Sequence, residues 1–323
     1  MQAAGATKAT THTGGIDVPY RRDFLATSAA AAFGVAVGRP LSALAWQGTQ
    51  AQPVFTPIRR NAGTFTMRGG TIGWLVNAGG VAVVDTQFPA EARALLAGLQ
   101  ERSNSRPIDV LLNTHHHGDH TSGNPVFRGV ARRVVAHGMA DQHMRRAPGA
   151  QQQQPRQPNA PEQLYPDTTF THMWSADVGD ERIVARHHGR AHTSGDAVIT
   201  FERANVVHMG DLMFHRRHPV VDGAAGASMR NWARVLDHVV TSHARDTIYI
   251  FGHVNTGLPV TGGPDDLLRF RDYLGAVLEF VERQVQAGRS REEILGMREP
   301  LAGFDEWGRF GQPGGREDRK SVV

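Results

Sequence analysis

Residues 114–124 read Thr114-His115-His116-His117-Gly118-Asp119-His120-Thr121-Ser122-Gly123-Asn124, and the fold turns on how that stretch is read. Four histidines and one aspartate crowd into positions 115–120. The apolar run from Ile108 to Asn113 just before them predicts a buried strand. Gly118, Ser122, Gly123 and Asn124 favour a turn over a helix. The polar cluster therefore belongs on a loop at the end of a strand. His115 and His117 are two apart, a spacing that diverges on a helix but points the same way in an extended segment. Two such imidazoles can grip one metal ion. Asp119 and His120, on the turn beyond, can face a second. Imidazole with carboxylate suits zinc best, with iron and manganese as competitors.

The pattern His115-x-His117-x-Asp119-His120 resembles the signature of the metallo-β-lactamase fold superfamily. The resemblance implies three further ligands downstream: a histidine, a bridging aspartate and a last histidine. This sequence offers His192 in Arg190–Asp196, Asp211 in Val206–Leu212 and His253 in Ile248–Val254, each at the end of an apolar run. Over residues 60–285 the resemblance implies an α/β (α+β) fold, a four-layer αββα sandwich. It assigns His115, His117 and His192 to a first ion, Asp119, His120 and His253 to a second, and Asp211 as the bridge between them. It also implies that Asp85 supports the site, although by sequence alone Asp85 could equally be a turn residue.

Composition excludes several function classes. The 323 residues are 40% apolar, enough for a large core, and carry a formal net charge of +4 with neutral histidines. The arginines are scattered, and no basic stripe interleaved with aromatics marks a nucleic-acid surface. There is no cysteine, hence no disulfide framework, thiolate ligand or cysteine nucleophile.

Residues 1–45 read as an export leader. Tyr20-Arg21-Arg22-Asp23-Phe24-Leu25-Ala26 resembles a twin-arginine signal, departing from its usual pattern at Tyr20 and Ala26. The weakly apolar Leu25–Gly38 follows, and Ala43-Leu44-Ala45 offers a cleavage site. The resemblance implies export of a folded, metal-loaded chain by the twin-arginine machinery, to the periplasm or beyond; a retained anchor is the alternative. Residues 46–62 read as a lead-in, 63–300 as the metallo-β-lactamase-like domain and 301–323 as a frayed tail. Within the domain, strands are expected at 64–67, 71–76, 81–84, 133–136, 168–174, 181–187, 196–201, 205–209 and 247–251. Helices are expected at 89–102, 138–146, 229–241 and 264–287, with a helix interrupted by Pro125 opening after His120. Ser290 and Glu293 form a capping-box pattern. Residues 147–166 are a Pro/Gln-rich loop, read as solvated or as a flap over the cleft.

Three ligands per ion leave room for water, the mark of a catalytic zinc site. The resemblance then implies two zinc ions sharing a hydroxide that attacks an acyl carbon, with Asp119 also able to take the released proton. The histidines at 116, 137, 143, 172, 187, 188, 208, 238 and 243 read as structural or surface residues. Asp196 and Asn255 flank ligands and are candidates to orient the imidazoles. His215, Arg216, Arg217 and His218 form either a solvated basic loop or a site for an anionic group of the substrate. A bridging aspartate at 211, where zinc β-lactamases usually have cysteine or serine, resembles the glyoxalase II-like and lactonase branches. The expected activity is therefore dinuclear zinc hydrolysis of an ester, lactone or thioester in a small-molecule substrate. A β-lactam amide is the alternative bond, and a metal-binding or sensory module the alternative without turnover.

Overall fold

A computed structural model describes residues 52–146, 162–297 and 301–308. The leader read at 1–45, most of the Pro/Gln-rich stretch and residues 309–323 lie outside the described residues. Strands β1 (Val54–Arg59), β2 (Ala62–Thr66), β3 (Ile72–Val76) and β4 (Val81–Val84) pair antiparallel in sequence. Helix α1 (Pro89–Ser103) carries the chain to β5 (Val110–Leu112), parallel to β4. The short α2 (Gly118–Thr121) and a 3-10 turn at Asn124–Phe127 follow. Then come β6 (Val134–His137), α3 (Gly138–Arg146) and β7 (Thr168–Phe170), with β5, β6 and β7 parallel. These seven strands form one sheet in chain order.

The second half builds the second sheet. Strands β8 (Met173–Val178), β9 (Glu181–Arg186), β10 (Val198–Phe201) and β11 (Val206–His208) form an antiparallel meander. After β12 (Phe214–His215) and α4 (Met229–Ser242), β13 (Ile248–Ile250) lies parallel to β11. Strand β14 (His253–Val254) pairs with β12, and β15 (Thr261–Gly262) with β13. Helices α5 (Pro264–Gln286) and α6 (Arg291–Gly296) follow.

The period-two alternation of strands assigns each face. On β4, Val81 and Val83 pack with Leu95 and Leu99 of α1, while Ala82 and Val84 turn to the other side. There they meet Ile199 and Phe201 of β10 and Val206 of β11, so the two sheets enclose a shared core. Val207 and Tyr249 face outward onto Trp232, Leu236 and Phe270 of α4 and α5. The order is helix, sheet, sheet, helix pair, which is the expected four-layer αββα sandwich. No helix among the described residues is long and apolar enough to cross a membrane.

Three boundaries differ from the sequence reading. The lead-in 46–62 contains β1, so the sheet begins at Val54 rather than at 63. Pro57 sits inside that strand, which is tolerated because β1 is an edge strand. The single strand expected at 168–174 is two strands in different sheets, β7 and β8, and the chain changes sheet at Thr171-His172. In the tail, residues 301–308 pack instead of fraying: the Trp307 ring stacks on Tyr273 at 4.7 Å, and the Arg269 guanidinium lies over Phe304 at 4.1 Å. The capping box at Ser290 and Glu293 forms as expected.

Candidate metal centre

The strand ends converge on one rim. Strand β5 ends at Leu112 and hands over a loop carrying His115 and His117, and then the short helix α2, where a turn was expected, carries Asp119 and His120. Strand β11 ends before Asp211, and β13 before His253. His192 lies on the loop between β9 and β10, tied to the metal loop where Ala197 N–H donates to Thr114 O at 2.8 Å. Two glycines permit the close packing. A Cβ at Gly252 would strike Gly210 O and the Asp211 carboxylate, and one at Gly70 would run into the His120 ring.

Seven polar side chains meet there. Ligand atoms of His115, His117, His192 and Asp211 lie within 4.8 Å of one another, and so do those of Asp119, His120 and His253. Asp211 touches both groups. Its Oδ2 is 3.8 Å from His115 Nε2, 3.6 Å from His192 Nε2 and 3.2 Å from His253 Nε2. Its Oδ1 is 2.9 Å from His120 Nε2. That last approach is off the hydrogen-bond direction, so Asp211 Oδ1, like His115 Nε2, is buried without a hydrogen-bond partner. Buried polar atoms are rarely left so. Close-set nitrogen and oxygen donors with unmet bonding capacity are what a divalent cation would satisfy, and the residues present fit one in each group.

The outer ring nitrogens point to protein partners. His120 Nδ1 is 2.8 Å from Asp85 Oδ2, and Asp85 also accepts from Thr114 N–H at 2.8 Å and Thr114 Oγ1–H at 2.7 Å. His192 Nδ1 donates to Val220 O at 2.7 Å, and His115 Nδ1 lies 3.0 Å from Thr114 Oγ1. His117 Nε2 lies 2.9 Å from Asp222 Oδ2. His253 differs, because its Nδ1 is 3.1 Å from the Arg217 guanidinium. A guanidinium only donates, so this outer nitrogen meets a donor where the others meet acceptors or a hydroxyl, while Nε2 faces the cluster, 3.0 Å from Asp119 Oδ2.

Electrostatics divide the cluster. Burial holds His115 well below the ordinary imidazole range and His192 down at about 3, with neighbouring imidazoles adding to both. For His120 and His253 burial pulls the same way but is outweighed by Asp211 and Asp119, so both are raised. Burial would raise Asp119 and Asp211, yet the facing histidines hold both below the usual carboxylate range.

All seven residues expected as ligands are thus brought together. Asp85 supports the site through its bonds to His120 and Thr114. Asp196 and Asn255 bond elsewhere than the candidate ligands: the Asp196 carboxylate accepts from Thr193 N–H and Oγ1–H and its carbonyl from His187 Nδ1 at 2.7 Å, and Asn255 Oδ1 accepts from Thr256 N–H. Of the four basic residues after Asp211, only Arg217 reaches the ligands. His215 stacks on Phe251 at 4.9 Å, Arg216 pairs with Glu306 at 3.2 Å and His218 Nδ1 bonds Tyr273 Oη at 2.7 Å. The strand β12 and the turn after it aim neighbours in different directions, which a run of basic letters does not reveal. Asp222 went unnoticed in the sequence, where an acid between Val221 and Gly223 carries no signal. From the Pro/Gln-rich stretch, Gln163 Nε2 donates to Thr121 O at 2.9 Å, so its described end packs beside the metal loop.

The sequence model of the metallo-beta-lactamase superfamily matches residues 66–253. A metallo-beta-lactamase from Pontibacter korlensis superposes with a TM-score of 0.55 at 17% identity, over 69% of this chain and 99% of that one. The metallo-beta-lactamase IND-7 gives 0.53 at 18% identity, over 68% and 98%. The metallo-beta-lactamase DIM-1 gives 0.55 at 14% identity, over 69% and 96%. At such identities the superpositions speak for the fold alone. The comparison with curated proteins found no match. A family pattern running from β2 to the last histidine of the rim, on a sandwich shared with these structures, shows that the chain belongs to the metallo-β-lactamase superfamily.

Proposed function

We propose that the protein is a dinuclear metal-dependent hydrolase that cleaves an ester, lactone or thioester, with zinc as its cation. The observation that carries this reading is the position of Asp211, whose carboxylate touches both ligand groups. His115, His117 and His192 would hold one ion, and Asp119, His120 and His253 the other. A donor set of nitrogen and oxygen without thiolate suits zinc, with iron or manganese as alternatives. Bound cations of this kind acidify water to near neutrality and polarise an acyl oxygen.

The chain's own residues supply the rest. Asp85 and Asp211 are buried, whereas the Asp119 side chain is 30% exposed, making it the carboxylate that can exchange a proton with a reacting substrate. Arg217, beside His253, would orient an anionic group of the substrate. The resemblance of an aspartate at 211 to the glyoxalase II-like and lactonase branches is what favours oxygen and sulfur esters over a β-lactam amide. The test is turnover by zinc-loaded protein of a lactone and thioester panel beside a chromogenic cephalosporin, with Asp119→Ala as blank. Ester, lactone or thioester cleavage above the blank is expected. Turnover of the cephalosporin alone would overturn the choice of bond, and no turnover would favour a metal-binding module. The reading extends to location: the twin-arginine-like segment would send the chain out of the cytoplasm. Replacing Arg21 and Arg22 with lysine should then retain it inside, and unchanged export would sink that part.

A further inference from the structure

His117 is held from two sides. Its Nδ1 lies 2.9 Å from His192 Nε2, facing into the first ligand group. Its Nε2 faces outward, 2.9 Å from Asp222 Oδ2. The other carboxylate oxygen of Asp222 accepts from Ala225 N–H at 2.9 Å. The Asp222 carbonyl accepts from Ala225 and Ala227 N–H at 3.1 and 3.0 Å, and the Asp222 N–H donates to His192 O at 3.3 Å. The carboxylate is therefore braced by its own loop, and that loop is tied to a second ligand. The side chains of His117 and Asp222 are each only 13% exposed, so water competes weakly for the contact.

We propose that Asp222 is a positioning residue for the first metal site, one that locks His117 with its proton on Nε2 and its Nδ1 lone pair aimed at the cation. The inference rests on the metal reading above. A neutral imidazole has one donor and one acceptor nitrogen, and a carboxylate only accepts, so the 2.9 Å contact leaves Nδ1 as the lone-pair atom. His115 and His192 face the cluster through Nε2, at the far end of the ring. His117 does so through Nδ1, next to its own Cβ, so a small ring rotation withdraws its donor atom. That makes an outer brace matter more here than at the other two.

His116, His117 and Asp222 also lie close enough to suggest a cation of their own, with His116 Nε2 3.7 Å from Asp222 Oδ2. That cation would need the lone pair of His117 Nε2 while the first site needs that of Nδ1. A neutral ring offers only one, so the two sites exclude each other, and the hydrogen bond keeps the first intact.

The test uses the full chain with ¹⁵N-labelled histidine, wild type against Asp222→Ala and the isosteric Asp222→Asn. Long-range ¹H–¹⁵N spectra report each ring's tautomer, with and without zinc. Wild-type His117 should show the Nε2–H form even without metal. Asp222→Ala should mix the two tautomers and weaken zinc at the first ligand group about 10- to 100-fold in chelator competition. Asp222→Asn has one oxygen for two donors and should fall between. Both variants keeping the wild-type tautomer and zinc affinity would overturn the role of Asp222. So would a third zinc equivalent lost in both His116→Ala and Asp222→Ala, because Asp222 would then be a ligand. Wild type that takes up no zinc would instead overturn the hydrolase reading itself.

Discussion

Asp85 joins the metal loop to the strand before it through three bonds, to Thr114 N–H, Thr114 Oγ1–H and His120 Nδ1. Asp85→Ala leaves those donors buried and unmet. It should cost about 2 kcal/mol in urea unfolding and weaken zinc at the second group about 10- to 100-fold. A variant with unchanged zinc affinity would show that the ring of His120 is held by packing alone. His208 is a different kind of residue: its Nε2–H donates to Thr71 O at 3.0 Å and its Nδ1 accepts from Gly210 N–H at 3.1 Å. The second contact needs the neutral ring, because a protonated Nδ1 cannot accept, and burial holds the ring's pKa at about 4. The unfolded chain, titrating near 6.5, binds the extra proton first. This contribution to stability is therefore intact above pH 6.5 and is lost as pH falls towards 4. In thermal unfolding of metal-free protein, the gap between wild type and His208→Gln should narrow across that window; a constant gap would refute the assignment. These two cases also show what a sequence can disclose. The metal loop was legible because four ligands share six positions. His192, Asp211 and His253 were legible only through the family pattern. Asp222 was not, because its partner His117 is 105 positions away and only the fold brings them together.

At the scale of elements, the apolar run Val81–Val84 and the 3–4 spacing of Trp232, Val235, Leu236 and Val239 predicted a strand and a helix, because burial of both faces makes a strand uniformly apolar and burial of one face imposes the helical period. Elements whose partners lie elsewhere in the chain were harder. β1 is an edge strand with exposed residues, and β12 and β14 are two residues each, too short for a period to show. The segment at 301–308 is the plainest instance. Its glycine and charge pointed to a loose end, yet Trp307 is 8% exposed and stacked on Tyr273 of α5. Trp307→Ala should destabilise the domain by about 3 kcal/mol in urea unfolding. A cost within about 0.5 kcal/mol, the range of ordinary surface positions, would mean the segment contributes no core.

Across the whole molecule, the ligands divide between the two sheets. His115, His117, Asp119 and His120 follow β5 of the first, while His192 and Asp211 lie beside β10 and β11 of the second, and His253, just past β13 of that sheet, opens β14, which pairs with β12 as a separate two-stranded sheet. A cation bound to both sets binds only the folded state. At a hundredfold excess over its dissociation constant it should add about 2.7 kcal/mol of stability. Scanning unfolding with and without chelator reads this directly, and coincident transitions would argue against coordination across the sheets. The same division bears on how the protein matures. Three of the seven candidate donors sit on a segment made only after the first sheet is complete, so a partly synthesised or unravelled chain would lack a complete place for a metal. On the metal-dependent reading, whichever side of a membrane the polypeptide folds on would thus be the side whose metal supply it draws from.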